Sequence, residues 1–234
     1  MRICIIPARG GSKRIPRKNI RDFCGKPMIA WSIEAAEISR CFDRIVVSTD
    51  DAEIAETSLK LGAEVPFMRP PSLADDHTAT VPVIADAVER LGLDHKDPVC
   101  CLYATAPFVM PEDLQEGQRL LRSSAVPFVL SVTTFPFPIQ RALRRDTSGI
   151  VEMIDPLMMQ TRSQDLEEAW HDAGQSYWAN ATTWKSDSGV FENGAYGLPL
   201  PRNRVQDIDT EEDWARAELM MQAMILNARE APND

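Results

Sequence analysis

Short β-branched, apolar runs alternate with segments whose apolar residues recur at helical spacing, and few folds other than a mainly parallel sheet flanked by helices accept that alternation. Residues 2–8 (RICIIPA) read as the first strand, and Pro27 opens a helix on which Met28, Trp31, Ala35 and Ile38 share a face. Residues 44–49 (RIVVST) make a second strand, after which Asp50 and Asp51 are placed to cap the helix carrying Ile54, Leu59 and Leu61. A strand is expected around residues 65–68, then the loop RPPSLADDHTAT and a helix with Val81, Ile84, Val88 and Leu91 on one face. Residues 99–104 (VCCLYA) form an apolar strand, followed by the helix PEDLQEGQRLL with Pro111 and two acids in its first turn.

From Phe128 the rhythm changes. FVLSVTTF is a strand, but the stretch from about 135 to 172 lacks a βα repeat and reads as an insertion, a lid or a subunit contact. Strand-like QSYWANAT and RVQDID follow, then a helix with Trp214, Ala217, Met221 and Met224 in register and a polar end, NAREAPND, expected to fray. Residues 1–234 are thus expected to form one α/β domain carrying that insertion.

The net charge of -10 argues against a nucleic-acid groove, which needs clustered cations to displace counterions. Yet Arg2, Arg9, Lys13, Arg14, Arg17, Lys18 and Arg21 crowd the first segment, a local anion site within an acidic chain. The five cysteines are odd in number and contain no C-x-x-C pair, so neither a disulfide framework nor a zinc site is expected. The apolar start is too short for a signal peptide, and no apolar run is long enough to span a membrane; a cytoplasmic protein is expected.

Two constellations carry chemistry. Between the first strand and first helix lies PARGGSKRIPRKN (7–19), at the carboxyl end of a strand, where open α/β sheets bind ligands. Gly10 and Gly11 permit backbone angles that aim amides at an anion, while Arg9, Lys13 and Lys18 supply charge, a combination suited to a triphosphate. The spacing is neither that of the P-loop nor G-x-G-x-x-G. The second is Asp207-Ile208-Asp209: in an extended segment the two carboxylates face one side and can converge on Mg2+. An acidic helix entrance with Thr210 as N-cap and Asp213 three residues on also fits, but leaves Asp207 unexplained.

IIPARGGSKRIPRKNI and VQDIDTEEDW, with RPPSLADDHTATVPVI, YATAPF, SVTTFPFPIQRAL and TRSQDLEEAWHDAGQSYW between them, resemble the cytidylyltransferases that activate sialic acid and related nonulosonic acids. The likeness is collinear from Ile3 to about Glu218. It implies a three-layer α/β/α, Rossmann-like nucleotidyltransferase fold, CTP as co-substrate, Mg2+ or Mn2+, a homodimer formed through the insertion, and a CMP-sugar product for glycoconjugate or flagellin glycosylation. Pseudaminic acid is the sugar implied, with N-acylneuraminate and legionaminate as alternatives. By the same resemblance Ala8, Arg9, Gly10, Gly11, Ser12, Lys13, Lys18 and Asn19 would hold the nucleotide phosphates, and Arg69 and Thr78 would lie near cytosine and ribose. Arg162, Gln164, His171, Asp172 and Gln175 would line the sugar pocket, Arg162 pairing with the sugar carboxylate. Asp207 and Asp209 would bind the metal, acting in catalysis together with Arg9 and Lys13. Relatives specific for sialic acid show L-Q-P-T-S-P where this chain has LYATAP (102–107), and Ala104 is read as lacking the polar contact of that glutamine. A nucleotidyltransferase with a phosphate acceptor, and a noncatalytic nucleotide-binding module, are the competing readings.

Overall fold

A computed structural model describes residues 1–76, 78–186 and 189–230, the side chains of 228–230 excepted. In chain order the elements are β1 (Ile3–Pro7), β2 (Asp22–Phe23), β3 (Lys26–Pro27), α1 (Met28–Ser39), β4 (Arg44–Ser48), α2 (Ala52–Lys60), α3 (Thr80–Arg90), β5 (Pro98–Leu102), α4 (Pro111–Ser123), β6 (Phe128–Thr134), β7 (Leu143–Arg145), β8 (Val151–Met153), β9 (Trp170–Asn180), α5 (Ala181–Trp184), β10 (Ala195–Pro199) and α6 (Glu211–Glu230).

Six strands form one sheet in the order β10-β6-β9-β5-β1-β4. All neighbours are parallel except β9, which runs antiparallel between β5 and β6. Alternation of side chains along each strand separates two cores. Cys4, Ile6, Cys100, Leu102 and Trp178 face Ile29, Ile33, Ile54 and Leu114 of α1, α2 and α4. Ile3, Ile5, Val46, Cys101 and Ala179 face Ile84 and Val88 of α3 and Trp184 of α5. The result is the three-layer α/β/α arrangement expected.

A third, smaller core decides where the chemistry lies. Ile15 of the first loop, Phe23, Met28 and Phe108 enclose Ile208 together with Trp214, Ala217 and Met221 of α6. Burying a side chain such as Ile208, 1% exposed, contributes about 2 kcal/mol, and it fixes the two flanking carboxylates beside the first loop. Trp214 packs edge-on against Phe23 at 5.3 Å, and the Arg21 guanidinium lies 4.4 Å over its ring.

Several expectations need correction. In place of the strand expected around 65–68, only isolated bridges form at its two ends (Val46 with Glu64, Thr49 with Met68), because Pro66 and Pro70 interrupt pairing. On α1 the buried stripe runs through Ile29, Ile33 and Ala36, and Ile38 is exposed, as is Leu59 on α2. The insertion ends at residue 169, since Trp170, His171 and Asp172 already belong to β9. It contains the β7–β8 hairpin and short 3-10 turns. RVQDID forms no strand; the sheet instead takes β10, with Gly197 lying so close to Val132 that a Cβ there would sit 2.9 Å from a valine methyl. Of the polar end, residues 227–230 continue α6, while 231–234 lie outside the described residues. Among the described residues no helix is long and apolar enough to cross a membrane.

Candidate active site

The loop after β1 closes over the carboxyl ends of β1, β4 and β5, and a cavity of about 480 Å3 opens there. Arg9, Ser12, Lys13, Lys18 and Asn19 line it from the first loop, Arg69 and Thr78 from the loop before α3, and Asp209 from the far end of the chain. Lys18 ties the ends together: its Nζ donates to the Ile208 carbonyl oxygen at 2.6 Å and lies 3.4 Å from Asp209 Oδ1. Arg14 Nη1 lies 3.0 Å from the other Asp209 oxygen. Residues about 190 positions apart thus share one lip of the cleft.

The loop is held from within. Asn19, buried, donates its amide to the Arg9 carbonyl oxygen at 2.9 Å and so acts as a clasp, although it also lines the cavity. Ala8 is buried and continues the β1–β4 pairing through its N–H to the Ser48 carbonyl oxygen at 2.9 Å, so it supports the loop from below. Neither Gly10 nor Gly11 has positive φ; the left-handed residue of this loop is Arg17, at φ 58°. Gly10 is glycine for lack of space: a Cβ there would lie 2.6 Å from Asp51 Oδ2 and 2.8 Å from Asp51 Cβ. Asp51 cannot retreat, because its carboxylate caps α2 at the Glu53 and Ile54 N–H groups and takes the Arg17 guanidinium at 2.6 Å. Those bonds, Arg17 foremost, hold its carboxyl below the usual range. Asp50 is no cap; it accepts the Gly10 N–H at 3.0 Å. Gly10→Ala is therefore expected to destabilise the protein by about 1–3 kcal/mol. Unchanged denaturant unfolding would mean that the start of α2 yields freely.

Arg69 is not a surface cation. It is 6% exposed, with Nε 3.1 Å from Ser48 Oγ and Nη2 on the Ser48 carbonyl oxygen, and burial pushes its pKa down. Thr78 is fixed by its N–H and hydroxyl, both 2.7 Å from Asp75 Oδ1.

A second cavity, of about 510 Å3, is lined by His171, Asp172, Ala173, Gly174, Tyr177, Val205, Gln206 and Asp207. Tyr103 lines both cavities and so forms their shared wall. Its hydroxyl lies 2.8 Å from Thr80 Oγ1, and burial raises its pKa to about 12. Its ring is 5.3 Å from that of Tyr177, whose hydroxyl donates to Asp172 Oδ2 at 2.6 Å. His171 Nδ1 faces the Asp172 carbonyl oxygen at 2.8 Å, so a neutral ring making this bond carries its proton there and offers Nε2 as acceptor. Gln175 stands behind the wall, 3% exposed, donating to the Arg204 carbonyl oxygen at 2.6 Å.

The carboxylate couple straddles the two spaces, Asp209 on the first and Asp207 on the second. Asp207 is open to water at its lip, but the cleft walls desolvate its carboxyl, and with Asp209 alongside they push its pKa up. Two hard oxygen donors close enough to repel suit a divalent cation that completes its shell with water and phosphate oxygens, as Mg2+ prefers. Among the described residues no cluster of three or more potential ligands occurs. Thr210 and Asp213 exchange the capping bonds expected of a helix entrance, at 2.9 and 3.2 Å, and leave the couple free of that task.

Arg162 and Gln164 lie elsewhere. Both are exposed on the insertion and line neither cavity; Arg162 pairs with Asp165 at 2.9 Å. Aligned position by position, the residue opposite the glutamine of L-Q-P-T-S-P is Tyr103, not Ala104, which is 2% exposed. Sequence reasoning missed Tyr103, Tyr177 and Asp76. Only the position of Tyr103 just past a strand's carboxyl end signalled a site residue.

Residues 3–188 match the family described as cytidylyltransferase. The chain is 44% identical over 220 residues to the pseudaminic acid cytidylyltransferase of Campylobacter jejuni subsp. jejuni, covering 93% of this chain and 95% of that protein. It is 33% identical over 230 residues to the CMP-N,N'-diacetyllegionaminic acid synthase of Legionella pneumophila, covering 94% and 96%. Among solved structures, CMP:2-keto-3-deoxy-manno-octonic acid synthetase complexed with CTP superposes with a TM-score of 0.72 at 17% identity, over 96% of this chain and 100% of that one, a likeness of fold.

Proposed function

This chain belongs to the cytidylyltransferase family, and from that premise we propose that it transfers CMP from CTP to pseudaminic acid, releasing pyrophosphate. The observation that carries this reading is the contact of Lys18 with Asp209 and the Ile208 carbonyl oxygen, which sets cations and a carboxylate around one cavity of triphosphate size. In the reaction the anomeric hydroxyl oxygen bonds to the α-phosphorus, the bond from that phosphorus to the bridging oxygen of the β-phosphate breaks, and the hydroxyl proton is released to solvent as pyrophosphate departs. Arg9 and Lys13 neutralise the departing pyrophosphate at the rim, and Lys18, bound to the Ile208 carbonyl oxygen and beside the Asp209 carboxylate, orders that segment next to the α-phosphate. Arg69 and Thr78 face the ribose and base, and the sugar occupies the second cavity across Tyr103. Asp207 and Asp209 would hold Mg2+ or Mn2+, which would supply charge neutralisation at phosphate oxygens. The reaction is proposed to run in the cytoplasm, where CTP is available.

The test is pyrophosphate release with CTP, Mg2+ and a panel of pseudaminic, legionaminic and N-acetylneuraminic acids and ketodeoxyoctonate. Turnover is expected with CTP alone among the four nucleotides and fastest with pseudaminic acid. No release with any sugar of the panel would end the proposal.

We further propose that the insertion packs on a second copy. Phe137, Leu143, Ile150, Ile154, Leu157 and Met159 are all exposed on it, and apolar side chains exposed together on one segment mark an interaction surface. Among the described residues lining the second cavity there is no Arg or Lys, so an acidic sugar would draw its counter-charge from the bound metal ion and from Arg162 of a second copy. Arg162→Ala is expected to raise KM for the sugar more than KM for CTP. Equal effects on both, or sedimentation as a monomer, would remove this assignment.

A further inference from the structure

The nucleotide cleft contains an acid for which the transfer reaction has no task. Asp76 lines the same cavity as Arg9 and Lys13, with Oδ1 2.5 Å from Arg9 Nη1 and Oδ2 on Lys13 Nζ. Arg9 Nη1 also donates to the Asp75 carbonyl oxygen at 3.0 Å, which fixes the guanidinium toward this side of the cleft. Lys13 first and Arg9 second hold the Asp76 carboxyl below the usual range, so it is fully charged at neutral pH. The one carboxylate thus engages both cations that the proposed reaction needs at the terminal phosphates. Side-chain exposures of 35% for Arg9, 81% for Lys13 and 32% for Asp76 make these rim pairs, readily exchanged and individually weak.

Resting on the nucleotide-site reading above, we propose that Asp76 is an internal competitor for the terminal phosphates: it holds Arg9 and Lys13 until CTP displaces it, and it retakes them as pyrophosphate leaves. A phosphate oxygen and the Asp76 carboxylate cannot share the same two donors without like-charge repulsion, so one displaces the other. Binding energy that CTP and pyrophosphate feel alike does not accelerate the chemical step; an acid that cancels part of it leaves phosphorus chemistry untouched and eases product release. A ligand bearing only an α-phosphate leaves the Asp76 pairs in place.

Asp76→Asn keeps the shape and removes the charge. Titration calorimetry with CTP, inorganic pyrophosphate and CMP on wild type and variant is expected to show CTP and pyrophosphate gaining about fivefold in affinity, the size of two exposed ion pairs, with CMP within about twofold of wild type. Inhibition of turnover by pyrophosphate should strengthen by the same factor. Weaker binding of CTP and pyrophosphate in the variant would show that Asp76 orients the two cations, and an equal change for CMP would show a general structural effect; either overturns the proposal. If wild type releases no pyrophosphate from CTP with any sugar, the reading of the site has failed. If wild type turns over normally and the variant gains nothing, the competitor role alone has failed. Asp76→Ser, tested in parallel, should give the same ordering of the three ligands should the asparagine variant misfold.

Discussion

Asp209→Ala is expected to slow CMP transfer by about two orders of magnitude or more, the usual size of a lost transition-state electrostatic contact, while the protein stays folded. The fold should survive because the side chain is 41% exposed and its partners, Arg14 and Lys18, form pairs of the weakly stabilising kind. Lys18 keeps its bond to the Ile208 carbonyl oxygen, Ile208 stays buried, and the Thr210–Asp213 capping bonds are untouched. Turnover at saturating CTP and sugar, read beside a thermal melt, separates the two effects. A variant with a wild-type melt and near-normal turnover would remove Asp209 from the reaction.

Arg204→Ala is expected to act the opposite way, on stability first. Arg204 and Asp113 form a bidentate pair at 2.5 and 3.0 Å with side chains 18% and 12% exposed, fastening residues 202–209 to the start of α4. Removing the guanidinium leaves the part-buried Asp113 with the Met110 N–H at 2.9 Å but no counter-charge, at a cost of about 1–3 kcal/mol. Denaturant unfolding should show that loss in the midpoint. Activity should fall too, because the anchored segment leads directly to Asp207 and Asp209. Arg204→Lys should recover only part of it, since an ammonium cannot reproduce two parallel N–H bonds. A loss well below 1 kcal/mol would mean that the small core around Ile208 holds the segment unaided.

The sheet was legible because its strands are buried on both faces and read as continuous apolar runs, as in RIVVS and PVCCL. The edge strand β10, with its alternating exposure and central glycine, carried no such signal. Helix positions were legible from capping and proline signals at Asp51 and Pro111; on α1 Met28 and Ala35 are buried as read and Ile38 is exposed, because small and apolar residues spread over much of this helix leave no sharp stripe to follow. At the site, the cationic loop stood out through local charge and Asp207–Asp209 through spacing. Tyr103 and Asp76 did not: a tyrosine ending an apolar run and an acid in a polar loop are ordinary until their neighbours in space are known.

Local sequence therefore determined the α/β class, the crowding of cations in the first loop and the paired spacing of Asp207 and Asp209. Tertiary structure alone decided that these meet, that Tyr103 stands between the two cavities, and that Arg162 lines neither. The reason is that strand and loop chemistry depends on residues within a few positions of one another, whereas the junction of Lys18 with Asp209 depends on burying Ile15 and Ile208 in one apolar cluster across 193 positions of chain, numbered 15 and 208.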